Sequence, residues 1–170
     1  ELPNYTIVQG NTATYKALYN GDYYFTITDN AGNEAIVSHN VTNIKADPPT
    51  ASFNPESSDW TKNNITVELT PISQGSDVDK FRYRINSADG TITGQWSNYI
   101  TGSDTIEITL SNDGQWVIEA ELIAENGKKG TVTSGIYRID KSTPTVTLNP
   151  NGNATFSTGQ MTTVSVSDGL

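Results

Sequence analysis

Apolar and polar residues alternate in five short runs of the chain. The runs are Tyr23, Phe25 and Ile27; Ile65, Val67 and Leu69; Phe81, Tyr83 and Ile85; Ile106, Ile108 and Leu110; and Trp116, Ile118 and Ala120. A period of two is typical of a strand with one buried face. Segments rich in Gly, Asn, Asp and Ser separate these runs, and no window carries a helical period. The pattern therefore predicts an all-β protein.

Two pairs of segments recur at the same distance along the chain. "PPTASFNP" (48–55) recurs as "TPTVTLNP" (143–150), and Pro144 follows Pro49 by 144 − 49 = 95 residues. "NGDYYFTITDNAGN" (20–33) matches "DGQWVIEAELIAENGK" (113–128), and Gly127 follows Gly32 by 127 − 32 = 95 residues. This is about the length of one immunoglobulin-like (Ig-like) domain. The fold prediction is therefore Ig-like antiparallel β-sandwich repeats in tandem, with about 95 residues per repeat.

The same period divides the chain into three parts. Residues 1–46 match the C-terminal strands of a repeat, 47–142 form a complete repeat, and 143–170 match the N-terminal strands of a following one. In the complete repeat we expect strands near 50–54, 64–70, 79–86, 96–99, 105–110, 115–123 and 132–139. The pattern predicts a segment cut from a tandem array, with neighbouring repeats as its partners. If the chain is whole, we expect head-to-tail self-association of its incomplete ends.

Composition narrows the classes of partner. The net charge is -9, and this argues against nucleic acid, whose binding depends on Lys and Arg contacts to phosphate. The chain has no cysteine, so packing alone must hold the fold. No stretch approaches the roughly 20 apolar residues of a membrane span, and the sequence therefore predicts no membrane insertion by this segment.

Several motifs carry a family resemblance. "TDNAGN" (28–33), the junction "ADPPTASF" (46–53) and "YRIDKSTPTVTLNP" (137–150) resemble the Ig-like repeats of large bacterial cell-surface proteins. The second copy departs from the family pattern, with "AENGK" in place of Asp-x-Ala-Gly-Asn. The resemblance implies an extracellular spacer, stalk or adhesive module on the bacterial cell surface, without catalytic activity. The alternative is a module that binds carbohydrate or a host surface protein through exposed aromatic residues.

Candidates for chemistry are few. His39 is the one histidine, and alternation places it on a strand without a visible catalytic partner, so we predict no enzyme. Calcium needs six to eight oxygen ligands, and Asp29, Asp77, Asp79 and Asp140 are candidate ligands. The chain lacks the D-x-D-x-D-G loop, and turn or cap roles explain the same residues. No other cofactor is predicted.

Aromatic residues offer a binding site of a different kind, because sugar rings stack on exposed aromatic faces. Trp96 and Tyr99, in "GQWSNYI" (94–100), are the candidate ligand-binding pair. We expect Trp116 in the core and Trp60 packed at a strand start. In "TDNAGNEA" (28–35), Gly32 permits a positive φ and the Asp and Asn side chains can bond their own backbone, which predicts a hairpin turn.

Overall fold

The structure is a computed structural model that describes residues 12, 14–44, 47–149, 152, 158–159 and 161–169. These residues form strands, turns and irregular segments, and none of them lies in a helix. The all-β prediction is therefore confirmed. No helix in the described ranges has the length and apolar character needed to cross a membrane.

The strands are numbered in chain order. They are β1 (Gly21–Thr28), β2 (Glu34–Val41), β3 (Thr50–Asn54), β4 (Trp60–Thr61), β5 (Ile65–Ile72), β6 (Val78–Ser87), β7 (Ile100–Thr101), β8 (Ile106–Leu110), β9 (Gly114–Ala124), β10 (Lys129–Thr133), β11 (Tyr137–Ile139), β12 (Thr145–Asn149) and β13 (Thr163–Ser167). Strands β3 to β11 form what we call the central body. Two hairpins, β1–β2 and β12–β13, flank it along the chain.

The central body contains two sheets. The smaller has the order β3-β5-β8 and is antiparallel throughout. The larger has the order β4-β11-β9-β6-β7, and β10 also pairs with β9. Its neighbours are antiparallel except for β4 and β11, which run parallel. Each sheet can therefore bury one face against the other.

One core joins the two sheets. Val67 and Leu69 of β5 and Ile118 and Leu122 of β9 are each 0% exposed, and they belong to the same buried cluster. The burial of β5 alternates along its length, as its sequence pattern predicts. Burying each such side chain stabilises the fold by about 1.5–3 kcal/mol. The central body is therefore sandwich-like, with a core formed by the inner faces of both sheets.

The structure divides one predicted strand. Residues 132–139 were expected as a single strand, but β10 ends at Thr133 and β11 begins at Tyr137. The amide of Gly135 donates to the carbonyl of Glu56 (2.9 Å) and not to the neighbouring strand β9. Thr133 lies opposite Glu119, whereas Tyr137 lies opposite Trp116, a shift of one residue. The shift turns Tyr137 inward, where it is 0% exposed and its hydroxyl donates to the carbonyl of Pro55 (2.7 Å).

A second predicted strand was misplaced. Residues 96–99 were expected as a strand, but they are irregular, and the strand that pairs with the edge of β6 is Ile100–Thr101. Ser97 makes two bonds to Tyr83: its amide donates to the Tyr83 carbonyl (2.8 Å), and its hydroxyl accepts from the Tyr83 amide (3.1 Å). Because the Ser97 hydroxyl takes the place of a backbone acceptor, residues 96–99 do not form regular strand hydrogen bonds with β6.

The predicted hairpin at 28–35 is confirmed. Residues 29–33 connect β1 to β2, and Gly32 has a φ of +87°. Asp29 Oδ1 accepts from the amides of Ala31 (2.9 Å) and Asn33 (2.8 Å). The side chain of Asp29 thus builds the bend, and the glycine supplies the left-handed backbone conformation that the bend needs.

Candidate functional site

The outer face of the larger sheet carries rows of charged side chains. Phe81, Tyr83 and Ile85 of β6 belong to the core cluster or pack against it. Alternation therefore places Lys80, Arg82 and Arg84 on the outer face. In the pairing of β6 with β9, Arg82 lies opposite Glu121 and Arg84 lies opposite Glu119. The sequence pattern that fills the core thus also aligns cations with carboxylates on the other side.

Both opposed pairs are ion pairs. Arg82 Nε donates to Glu121 Oε1 (2.9 Å), and Arg84 Nε donates to Glu119 Oε2 (2.7 Å). The four side chains are only 20–28% exposed, so solvent screens them less than it screens an open surface pair. Opposite charges directly across two strands favour the observed register.

A strap formed by residues 94–99 crosses this face. Gly94 begins the strap, and a Cβ added there would lie 2.1 Å from the carbonyl oxygen of Ile85. Only glycine therefore permits so close an approach of the strap to β6. The strap then places the rings of Trp96 and Tyr99 over the cationic side chains of β6.

Each aromatic ring of the strap lies over two neighbouring cations of β6. Trp96 lies over the guanidinium carbons of Arg84 (4.5 Å to the ring centroid) and Arg82 (4.7 Å). Tyr99 lies over Arg82 (4.7 Å) and over Lys80 Nζ (5.4 Å). We call Lys80, Arg82, Arg84, Trp96 and Tyr99 the ladder. Cation–π contacts of this kind contribute about 0.5–2 kcal/mol each, more when water is excluded.

Hydrogen bonds to the ladder shift three pKa values. Donation by Arg84 lowers the pKa of Glu119, and donation by the Tyr99 hydroxyl (2.7 Å), followed by that of Arg82, lowers the pKa of Glu121. The same hydrogen bond to Glu121 raises the pKa of Tyr99. All three shifts move the pKa values further from pH 7. The hydrogen bonds thus favour the charged form of both glutamates and the protonated form of Tyr99.

The predicted ligand-binding pair does meet on one surface. Trp96 is partly buried and Tyr99 is 41% exposed. Both rings, however, contact guanidinium groups of β6. A sugar that stacked on them would compete with those contacts. Carbohydrate binding by Trp96 and Tyr99 stays a prediction, and the structure gives this pair a packing role beside it.

The four candidate calcium ligands lie in different local settings. Asp29 is engaged in its own turn, and Asp77 Oδ2 accepts from Lys16 Nζ (2.8 Å). Asp79 lies 3.6 Å from Lys80 Nζ, and Asp140 Oδ1 accepts from the amide of Ser142 (2.9 Å). Across the described part of the chain, no group of three or more His, Cys, Asp or Glu side chains is arranged to hold a metal ion. The structure does not bring the candidate ligands together as a cluster.

His39 lies on the β1–β2 hairpin, directly opposite Tyr23. It is exposed, and among the residues that the structure describes β1 and β2 form a two-stranded sheet. His39 thus lies on the exposed surface of a strand, as alternation predicted.

A cluster that sequence reasoning missed holds the end of β11. Lys141 Nζ donates to Asn64 Oδ1 (2.7 Å) and to the carbonyl of Ser111 (2.5 Å), and the Lys141 amide donates to Asp113 Oδ1 (3.1 Å). The preceding amide, that of Asp140, donates to the carbonyl of Thr61 (2.9 Å). We call the contacts of Lys141 with Asn64, Ser111 and Asp113 the exit clamp. The junction motif "DKSTP" pointed to this segment, but the partners lie too far along the chain for the pattern to reveal them.

A groove lies beside the exit clamp. It has a volume of about 740 Å³, and its lining includes Trp60, Trp116, Asp89, Asp113 and Asp140. Trp60 is 51% exposed, so the expectation that it packs at a strand start is wrong. Trp116 packs partly against the core, as expected, and its indole Nε1 donates to the carbonyl of Asn112 (2.9 Å). Hydrogen bonds from Ser87 and Thr91 lower the pKa of Asp89 to about 2, so this wall of the groove stays negative.

Comparison of the chain with models of known protein families gave no match, and comparison with curated proteins gave none. Function must therefore be inferred from the residues and contacts described above.

Proposed function

We propose that the chain is a non-catalytic spacer or stalk module of a bacterial surface protein, built from Ig-like sandwich repeats of about 95 residues. The observation that carries the proposal is a shared strand register. Thr28 lies opposite Glu34 in β1–β2, and Ile123 lies opposite Lys129 in β9–β10. The two pairs differ by 123 − 28 = 95 and 129 − 34 = 95 residues.

The hairpin that follows the central body repeats the relation. Thr50 lies opposite Ile72 in β3–β5, and Thr145 lies opposite Ser167 in β12–β13. These pairs differ by 145 − 50 = 95 and 167 − 72 = 95 residues. A similar sequence alone does not impose identical partners, because a strand pair can slip by one residue or more. The agreement at both ends supports one repeating unit along the chain.

The strand order of the central body supports an Ig-like unit. In an Ig-like sandwich the strands termed A, B and E share one sheet, and those termed C, F and G share the other. Here β3, β5 and β8 form the first group, and β6, β9 and β10 form the second. The short edge strand β7 lies between β6 and β8 along the chain and pairs with β6.

The exit clamp supports a stiff connection to the next unit. Three groups of the central body, on the segments before β5, after β8 and before β9, hold Lys141. Pro144 follows at three residues' distance and fixes its own φ. A chain held so close to the end of a sandwich has few residues left in which to bend. The clamp is therefore the part of the molecule that would make an array of such units a spacer and not a flexible string.

A further contact links the segment before β1 to the central body. Lys16 Nζ, which precedes β1, donates to Asp77 Oδ2 (2.8 Å) and Glu125 Oε2 (2.6 Å). Hydrogen bonding to Asp77, and then to Glu125, raises the pKa of Lys16, so the lysine stays charged. All three side chains are more than one-third exposed, and salt should weaken the contact. The bacterial surface location rests on the resemblance at 28–33 and 137–150.

Measurement of the distance distribution across the exit tests the proposal. The chain has no cysteine, so spin labels can be placed at Thr131→Cys in β10 and Ser165→Cys in β13, both exposed. We expect a narrow distribution that broadens in Lys141→Ala. The matched control is Lys62→Ala, at an exposed position outside the clamp. A distribution that is already broad in the parent chain would contradict the spacer proposal.

A second candidate function is binding of a carbohydrate or host protein, and one observation favours it. The exposed ring of Trp60 lies in the groove, whereas Trp96 and Tyr99 contact the cations of β6. A glycan array would test this function. Binding that is lost in Trp60→Ala and kept in Trp96→Ala would place the ligand in the groove, and no binding to any glycan would count against the carbohydrate form of this function.

A further inference from the structure

The exit clamp holds the chain through bonds that each contain one charged group. Lys141 Nζ donates to Asn64 Oδ1 (2.7 Å) and to the carbonyl of Ser111 (2.5 Å), which are both neutral acceptors. The third bond runs from the neutral amide of Lys141 to Asp113 Oδ1 (3.1 Å). Dissolved salt screens the attraction between two charges, and none of these bonds joins two. We therefore expect the exit clamp to persist as the salt concentration rises.

The contact that links the segment before β1 to the central body joins opposite charges instead. Lys16 Nζ donates to Asp77 Oδ2 (2.8 Å) and to Glu125 Oε2 (2.6 Å), so one ammonium group contacts two carboxylates. The side chains are 62%, 69% and 37% exposed in that order. The Debye length falls from about 30 Å at 0.01 M salt to about 3 Å at 1 M. The strength of this contact therefore depends on ionic strength.

The central body holds the two carboxylates side by side. Asp77 comes directly before β6 and Glu125 directly after β9, and these two strands are paired. The amide of Glu125 donates to the carbonyl of Asp77 (2.8 Å), which ties the two residues together. The receiving site for Lys16 is thus fixed by the fold of the central body, and the lysine is the part that comes from outside it.

The repeat correspondence explains why the joint before the central body does not use an exit clamp. Ninety-five residues before Lys141 the sequence has Ala46, and 95 residues before Asp113 it has Leu18. Alanine has no amine to donate, and leucine has no side-chain acceptor. The bonds that Lys141 makes to Asn64 and Asp113 therefore have no counterpart at this joint.

The position equivalent to Ser111 carries Lys16, since 111 − 16 = 95. In the central body, the carbonyl of Ser111 binds the chain as it leaves the same unit, at Lys141. In the preceding unit, the equivalent segment contacts the next unit, because Lys16 binds Asp77 and Glu125. The same position thus serves a contact within a unit at one joint and a contact between units at the other.

The joint before the central body is also the longer of the two. Asn20 holds Ile44 through two hydrogen bonds (3.1 and 2.8 Å), and β3 begins at Thr50, 50 − 44 = 6 residues further on. Lys141 lies 145 − 141 = 4 residues before Thr145, where β12 begins. A longer span contains more backbone dihedrals that must be fixed. The orientation of this joint therefore depends more on a contact made across it.

We propose that the joint before the central body is a salt-responsive hinge, closed by Lys16 on Asp77 and Glu125, whereas the joint after the central body stays stiff. The inference rests on the proposed spacer function and divides its stiffness unequally between the two joints. At low ionic strength both joints are held. At high ionic strength the chain bends on the entry side of the central body.

Spin labels report the two joints separately. Ser38→Cys in β2 and Thr131→Cys in β10, both exposed, span the joint before the central body. Thr131→Cys and Ser165→Cys span the joint after it. As KCl is raised from about 0.01 M to about 1 M, we expect the first distance distribution to broaden and the second to keep its width.

Variants of Lys16 test whether this residue closes the hinge. Lys16→Gln removes the charge and should give a broad distribution across the first joint already at low salt. Lys16→Arg keeps the charge and should keep the distribution narrow at low salt. The matched control is Lys62→Gln, which removes the same charge at an exposed position and should behave like the parent chain.

The possible failures are distinguishable. The hinge proposal alone fails if the second distribution is narrow at all salt concentrations and the first responds neither to salt nor to Lys16→Gln. It also fails if the first distribution is broad in the parent chain at low salt, or if both distributions broaden with salt to the same extent. A second distribution that is broad at low salt contradicts the spacer function, and with it the unequal division of stiffness.

Discussion

Leu122 in the central body and Ile27 in the first hairpin occupy equivalent positions 95 residues apart, in strand pairs of identical register. Leu122 is 0% exposed and Ile27 is 61% exposed. The sequence pattern, the turn and the cross-strand partners are alike. The difference is that a second sheet covers β9, whereas among the described residues the ring of Tyr15 lies against Tyr23 and Phe25 of β1 and leaves Ile27 exposed.

The comparison separates what forms a hairpin from what forms a core. Alternation and direct cross-strand pairs are local properties that recur in β1–β2, β9–β10 and β12–β13, and the first two pairs also share a turn with a glycine at positive φ. Burial needs residues far away in sequence, because β9 is covered by strands that begin up to 64 residues earlier (114 − 50). An isolated two-stranded hairpin is marginally stable in water, so its faces depend on a partner.

The largest expected effect comes from the equivalent pair itself. Leu122→Ala should lower the free energy of unfolding of the central body by about 2–5 kcal/mol, because it leaves a cavity. Ile27→Ala should change it by less than about 0.5 kcal/mol. Urea unfolding followed by tryptophan fluorescence measures this, since Trp60, Trp96 and Trp116 all lie in the central body. Equal costs would show that the first hairpin is packed on the central body.

A second pair compares two tyrosine hydroxyls. The hydroxyl of buried Tyr137 donates to Pro55, and that of Tyr23 donates to the carbonyl of exposed Tyr19 (2.7 Å). Tyr137→Phe should cost about 0.5–1.5 kcal/mol, because it removes the hydrogen bond made by a side chain that is 0% exposed. Tyr23→Phe should leave the unfolding of the central body unchanged, since water can reach Tyr19. A cost below about 0.5 kcal/mol for Tyr137→Phe would mean that the hydroxyl is not what holds β11.

The ladder offers an effect of similar size. Trp96→Ala removes the ring that contacts Arg82 and Arg84, and it should lower the unfolding free energy by about 1–2 kcal/mol. The control is Tyr24→Ala, which removes an exposed aromatic side chain from the first hairpin and should cost the central body less than about 0.5 kcal/mol. Fluorescence of the two remaining tryptophans reports unfolding. An unchanged unfolding midpoint in Trp96→Ala would show that the ring does not stabilise the fold, which would favour a ligand-binding role for it.

The smallest effect is a dependence on pH. The pKa values of Glu119 and Glu121 are lowered from 4.5 in the folded state, so their contribution to stability is present above about pH 4.5 and is lost as the pH falls through the lower folded values. Unfolding free energies measured between about pH 5 and pH 3 should decline. The decline should be shallower in the double variant Glu119→Gln and Glu121→Gln. An equal slope in both proteins would assign the acid sensitivity to other carboxylates.

The sequence identified many residues of the candidate site, but it did not reveal the contacts between them. Trp96 and Tyr99 were identified as a pair, and the alternation of β6 placed its cations on one face. Their stacking was hidden, because it depends on the strap 94–99, where the close approach of Gly94 and the bonds of Ser97 replace the predicted strand. The exit clamp was hidden for a related reason: Lys141 and Asn64 are separated by 77 residues.

The sequence by itself determined the all-β class, the confirmed hairpin at 28–35 and most strands of the central body. These features depend on neighbours within a strand or across a tight turn, where period two and a positive φ leave their mark on residue choice. Only the tertiary structure decided which alternating face is buried, where Tyr137 turns inward and why Trp60 is exposed. Those outcomes depend on the packing of distant strands, which no short pattern encodes.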